Sequence, residues 1–310
     1  MEAAEITMGP LMFHWPSERK RDFWFRIADE APVDSVYIGE TVCSKRAAEF
    51  NNAQLIEVAE RLKRGGKRVV WTTLSEVVTQ HDRKHITDVC SQDGAEIEVN
   101  DISGLWHLTG RSHRIGQALN VYNEGTLAFL AGNGATHFCL PSELPKDTIA
   151  AICAKAEDIG VGVEVQVFGR VSLALSARCY HARAHGRSKD NCLFVCGNDP
   201  DGLELETRSN KPFLIINGIQ TLSHRYLNLA REMKALEGLG VSAFRLGPHA
   251  CDMVAVASCY RALLDDAIDA EAAERQLAAL GIPQPMANGF FHGRPGLDLV
   301  LSGPAGRELP

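Results

Sequence analysis

Short β-branched runs alternate with amphipathic helical patterns along nearly the whole chain. This predicts an α/β protein with mostly parallel strands, a TIM-barrel-like (β/α) barrel. Two further observations narrow the prediction. A chain of 310 residues suits one barrel of about 250 residues with insertions. No G-x-G-x-x-G opens a helix anywhere, and Gly132-Asn133-Gly134 lacks the third glycine, which counts against a doubly wound nucleotide-binding sheet.

Residues 6–8 form the first expected strand, turned by Gly9-Pro10, and residues 19–30 the first helix, with Phe23 and Ile27 on one face. Residues 35–38 are the second strand, closed by Gly39. A helix over 53–64 places Leu55, Val58, Ala59 and Leu62 together and stops at Gly65-Gly66. Residues 68–72 are the third strand, with a helix from 76–80 onward. Residues 95–99, 118–121 and 136–140 supply three more strands, each with a helix after it. A helix over 145–160 turns Ile149, Ile152 and Cys153 inward. The strand 161–168 then carries Glu164, ends at Gly169 and passes into a short helical pattern that delivers Cys179. Residues 213–217 read as a late strand with 225–237 its helix, and 242–246 as the last strand before a helix over 252–265. Eight or nine such units favour a closed barrel over an open sheet. One domain spans 1–280. Periodicity fails in an appended, partly irregular segment over 281–310, rich in Pro and Gly and with a frayed end.

An apolar share of 45% and a charged share of 23% describe a soluble globular protein, and a net charge of −7 argues against a general nucleic-acid binder. The N-terminal stretch has no basic region followed by an apolar one, and no apolar run approaches the ~20 residues of a membrane span. A cytoplasmic location without a transmembrane segment is therefore expected. In that reducing compartment the nine cysteines should be metal ligands or buried thiols rather than a disulfide framework.

The cysteines divide in two. Cys139 lies inside a strand, Cys153 and Cys259 on helix faces, Cys90 at a helix end and Cys251 at a helix start, all consistent with packing. Cys43 follows a strand, and Cys179, Cys192 and Cys196 fall close together among Arg178, Arg183, Arg187 and Lys189. Loops after barrel strands gather at one face, so Cys43 can meet the other three there. Thiolates in positive surroundings suit soft-metal ligation. Zinc is one candidate, although Cys₄ structural sites pair two C-x₂₋₄-C knuckles and this chain has one. A [4Fe–4S] cluster accepts cysteines from scattered loops more readily. A mixed Cys179/His181/His185 zinc site is a third candidate. Glu164 is expected to be a buried carboxylate, paired either with an inward arginine or with Arg178, which alternatively offsets a cluster's charge. His249 and Asp252 follow the last strand at the expected active face, with a helix cap the competing role for Asp252. No G-x-S-x-G elbow or H-E-x-x-H motif supports hydrolase chemistry.

The order Glu164, Gly169, Ser176-Ala177-Arg178-Cys179, followed by the stretch over 214–248 and the helix over 257–265, resembles the signature of the collagenase-like peptidase U-32 family. The likeness runs from residue 6 to about 265. Within the family, residues 39–46, 175–183 and the Cys192-x₃-Cys196 pair are similar to the smaller subunit of an oxygen-independent ubiquinone-biosynthesis pair. That resemblance implies a [4Fe–4S] cluster on Cys43, Cys179, Cys192 and Cys196; from the residue reading, Arg178 and Glu164 are the expected supporting residues. It implies a UbiU-like partner in a heterodimer. The two would hydroxylate the ring of an isoprenoid quinone precursor, with prephenate as the oxygen donor. It also leaves two family alternatives, an RNA hydroxylation factor and a peptidase. Departures are specific: Ser172 stands where family members carry a cysteine, Asn217-Gly218-Ile219-Gln220 where many have Asn-Ser-x-Asp, and residues 245–249 where Lys-Ile-Glu-Gly-Arg is usual. The loss of two acidic positions suits an iron–sulfur subunit rather than an independent peptidase.

Overall fold

The computed structural model describes residues 3–301. Eight strands run parallel and close on themselves: β1 (Glu5–Met8), β2 (Ser35–Ile38), β3 (Arg68–Thr72), β4 (Glu96–Val99), β5 (His113–Ile115), β6 (Ala135–Cys139), β7 (Gly162–Gly169) and a last one, β13 (Ala243–Leu246). Each pairs with the next, β7 pairs with β13, and β13 returns to β1 through Glu5↔Ala243 to Met8↔Leu246. Closure removes both sheet edges and rules out the open, doubly wound alternative. Helices over Ser17–Glu30, Asn52–Arg64, Gln80–Cys90, Ile102–Leu108, Glu124–Gly132, Lys146–Ile159 and Met253–Leu264 ring the barrel. The main apolar core lies between strands and helices, and Leu11, Phe13, Trp15 and Trp24 belong to it. No helix among the described residues is long and apolar enough to cross a membrane.

The chain between β7 and β13 does not continue the barrel rhythm. It forms a four-stranded antiparallel sheet in the order β8 (Ser172–Leu175), β11 (Gln220–Ser223), β10 (Pro212–Asn217) and β9 (Leu203–Glu206). The expected late strand over 213–217 is real but lies in this insertion, and the expected helical path to Cys179 is the strand β8. The expected helix over 225–237 is instead the short strand β12 (Leu227–Asn228), antiparallel to β7, followed by a helix over Met233–Gly238 alone.

Two barrel elements also differ from expectation. Residues 118–121 mimic a strand by composition, but 117–119 form a 3-10 turn and Asn120 adopts φ 54°. The strand is the more polar His113–Ile115, because this barrel's interior is polar. The third helix starts at Gln80 and not at 76: Thr79 and Asp82 form a capping box, each side chain accepting from the other's backbone N–H. Beyond the barrel, Ala270–Ala279 is a helix, and Ile282, Met286 and Phe291 pack into the core, so residues 281–301 lie against the barrel. Residues 302–310, where the frayed end was expected, fall outside the described residues.

Candidate metal centre

Strand alternation sends every second residue into the barrel. Most (β/α)₈ barrels fill that space with branched apolar side chains. Here it holds charge. Glu164 on β7 is fully buried and accepts from Tyr37 Oη at 2.8 Å, from the Thr7 hydroxyl and from Arg245 Nη2 at 2.6 Å. Arg245 also donates to Glu98 and lies 3.9 Å from the Tyr37 ring centroid. Arg114 completes the layer, donating to Tyr37 Oη at 2.7 Å and to Glu96 at 2.5 Å. Burial alone would raise the Glu164 carboxyl, but the Arg245 guanidinium and His137 hold it well below the usual carboxylate range. The expected inward arginine for Glu164 is therefore Arg245.

Above this layer, at the C-terminal ends of the strands, lies a cavity of about 320 Å³. Glu98, Asn100, Gln117, Ser142, Gln166 and Arg245 line it from the barrel, and β8 with Gln220 closes it from the insertion. Arg245 Nε is buried without a hydrogen-bond partner among the described residues.

The four cysteines converge beside this mouth. Cys43, Cys179, Cys192 and Cys196 line one small, mostly apolar cavity together with Arg46, Lys189 and Gly218. Local chemistry places each sulfur. Glu40 Oε1 accepts from the N–H groups of Val42 and Cys43 at 2.9 and 3.1 Å, fixing the turn after β2. Cys179 Sγ accepts from Ala182 N at 3.4 Å and caps the short helix Tyr180–Ala184. Between Cys192 and Cys196 the chain is strained, since Leu193 (φ 47°) and Phe194 (φ 51°) both sit in the left-handed region that disfavours residues with a Cβ. No three cysteine sulfurs among the described residues lie within 4.8 Å of one another.

Arg46 is the cation of this cavity. It is 2% exposed and lines the cavity beside Cys196. Its Nη1 donates to Met12 O at 2.7 Å and its Nη2 to Asn217 Oδ1 at 3.1 Å. Asn217 passes the chain to Gln220 Oε1 at 3.3 Å, and Met12 and Gln220 both line the mouth cavity. One side-chain path thus joins the sulfurs to the mouth. Gly218 makes it possible: it adopts φ +64°, and a Cβ there would meet Arg46 Nη2 at 2.8 Å. Burial pushes the Cys43 and Cys196 thiols up, with Arg46 opposing. Both are therefore protonated near neutral pH, and a metal binding there must displace the protons.

The other expected residues fall as follows. Cys90, Cys139, Cys153 and Cys259 are buried, Cys251 is half-buried, and all nine cysteines are free thiols. Arg178 corrects an expectation: it is exposed, neither lines the sulfur cavity nor meets Glu164, and its proposed role passes to Arg46. His181 and His185 do not line that cavity, and His181 Nε2 bonds Asp199 Oδ2 at 2.8 Å. His249 is not at the mouth. Its Nε2 accepts from Arg170 N at 2.9 Å and its Nδ1 donates to Asp201 at 2.7 Å, a buried clasp between barrel and insertion. Asp252 caps the helix Met253–Leu264. Sequence reasoning missed Arg46, Glu98 and Arg245 as site residues. Their signal was charge inside apolar runs, in EIEV and AFRL, and an arginine three residues after Cys43.

A closed parallel barrel whose seventh strand opens into a cysteine-bearing insertion is the class of protein that this fold and site define. The chain belongs to Peptidase family U32, whose family model matches residues 24–300. Among solved structures, an uncharacterized B. cereus protein is similar at 12% identity and TM-score 0.40, over 79% of this chain but 61% of that one, so this chain spans less than two thirds of it. An uncharacterized Clostridium thermocellum protein that binds two copies of 5-methyl-5,6,7,8-tetrahydrofolic acid is similar at 9% identity and TM-score 0.46, over 86% of this chain and 95% of that one. The Bacillus cereus spore cortex-lytic enzyme SleL is similar at 9% and 0.44, over 86% and 75%. Nothing about substrate or chemistry follows from likenesses this weak.

Proposed function

We propose that this chain is a UbiV-like [4Fe–4S] protein of oxygen-independent ubiquinone biosynthesis. It acts with a UbiU-like partner, as a heterodimer, to hydroxylate the ring of an isoprenoid quinone precursor, with prephenate as the oxygen donor. The observation that carries the reading is the convergence of Cys43 with Cys179, Cys192 and Cys196 on one cavity. The donor chemistry fits the group: four thiols around one space, with Arg46 and Lys189 to offset thiolate charge. A single zinc at about 2.3 Å from each sulfur would hold the sulfurs roughly 3.8 Å apart, whereas no three cysteine sulfurs among the described residues lie within 4.8 Å of one another, so the wider spacing of a polynuclear cluster is the better fit.

Bound on these four residues, a cluster supplies one-electron chemistry at a potential set by the charges and hydrogen bonds around it. The chain's own residues do the rest. Arg46 offsets the sulfur charge and, through Asn217 and Gln220, ties that charge to the mouth cavity. Asn100, Gln117 and Gln220 offer amide groups to a ligand there, and β8 lines the side toward the insertion. At about 320 Å³ the cavity is at the small end for ligand sites and admits a ring but not an isoprenoid tail. The tail must then lie outside this chain's own cavity, which favours a site shared with a partner.

Quinone profiling of a deletion strain, grown with and without oxygen, tests the reading. A quinone defect confined to growth without oxygen is expected. Unchanged quinone with loss of hydroxycytidine or hydroxyuridine from RNA would contradict it in favour of RNA hydroxylation. Peptide hydrolysis that survives Cys→Ser changes at all four positions would contradict it in favour of a peptidase.

A further inference from the structure

A second group of ligand-type side chains lies in the insertion, apart from the sulfurs. We propose that His181, His185 and Asp199 form a binding site for one first-row divalent cation of the zinc class, with a coordination position open to water. The three offer one ligand atom each, all within 4.8 Å of one another. His181 and His185 are four residues apart on a helical turn, the spacing that puts two imidazoles on one face, as in helical zinc motifs. Their rings are nearly parallel, 11° apart with centroids at 5.6 Å. Both Nε2 atoms address the same Asp199 Oδ2, at 2.8 and 4.0 Å.

An ordinary ion pair needs one histidine; this carboxylate oxygen is approached by two. Borderline nitrogen and hard oxygen donors in a two-to-one ratio suit zinc, cobalt or iron(II) rather than calcium or magnesium. His181 is fully buried, while His185 and Asp199 keep 35% and 26% of their side chains exposed, so water reaches one side of the site. Three protein ligands with an open position is the arrangement of catalytic rather than structural zinc sites. Coordination through Nε2 leaves the His181 proton on Nδ1, which is buried with no hydrogen-bond partner among the described residues. The affinity should therefore be lower than that of a closed structural site. The ligands share the sulfur site's scaffold, since His181 follows Cys179 by two residues and Asp199 follows Cys196 by three, so a cation here would brace both cysteine-bearing segments.

Cobalt(II) titration of the metal-free full chain tests this, because sulfur-bound cobalt shows charge-transfer absorption that nitrogen- and oxygen-bound cobalt lacks. The expected result is one cobalt per chain with ligand-field bands and no sulfur charge transfer, in addition to any cobalt taken by the thiols. His185→Ala and Asp199→Asn should each weaken that cobalt more than about tenfold. Because His185 is exposed, the thermal midpoint without metal should stay unchanged in His185→Ala. Cobalt seen only with sulfur charge transfer, or an unchanged sulfur-free component in His185→Ala, overturns the proposal. The result does not depend on whether the four cysteines hold a cluster.

Discussion

The barrel interior and the sulfur cavity are both polar sites assembled from residues far apart in the chain, yet they are held together by opposite means. In the barrel, unlike charges meet: Glu98 and Glu164 share Arg245, while Glu96 and Tyr37 share Arg114. Each charge has its partner within the chain, so the network specifies and rigidifies the closed sheet. In the sulfur cavity, like groups meet. Four thiols face one space, a single buried arginine offsets them, and the backbone between two of them is held in the left-handed region. Strain kept at a converging set of identical donors is the pattern of a site built for something else to complete it.

That contrast can be broken first in the barrel. Arg245→Leu leaves Glu98 and Glu164 buried without their shared cation and should cost about 3–5 kcal/mol in urea unfolding. A cost under about 1 kcal/mol would mean the network is not what orders the interior. Arg46→Met removes the donor to Met12 O and Asn217 and the cation beside Cys196, and should cost roughly 1.5–3 kcal/mol, whereas Arg178→Ala should stay within about 0.5 kcal/mol. Equal effects of the two would undo the assignment of Arg46 as the site's cation. Leu193→Gly relieves a left-handed residue that is 66% exposed, and up to about 1 kcal/mol of gained stability is expected in the metal-free protein. A loss would show that the loop is not strained.

A further expected effect is a pH dependence. His14 packs 5.4 Å from the Phe194 ring, beneath the sulfur loop. Burial, then Arg46 and Lys20, lowers it from 6.5 to about 4. Its folded value lies below its unfolded one, so its contribution is present above pH 6.5 and lost as the pH falls toward 4. His14→Gln should flatten stability across that window, and an unchanged slope would remove His14 from the account.

The barrel was legible because its strands, buried on both faces, read as short apolar runs between helices. His113–Ile115 escaped for the complementary reason: inside an ionic interior a strand carries charge, while the apolar residues 118–121 look more like one. The insertion escaped because strand propensity does not say whether β10 pairs in parallel or antiparallel. That the four cysteines meet on one cavity was legible from residue chemistry and spacing. Their cation was not, since Arg178 is adjacent to Cys179 in sequence but points to solvent, and Arg46 reaches Cys196 only through the fold.

The central claim is that the four cysteines act as one ligand set. Iron and acid-labile sulfide, measured on protein purified without oxygen, with Cys43→Ala alongside, test it most directly. The account predicts about four of each per chain, with visible absorption, and their loss in Cys43→Ala. A colourless, zinc-loaded protein, or full iron in Cys43→Ala, would contradict it.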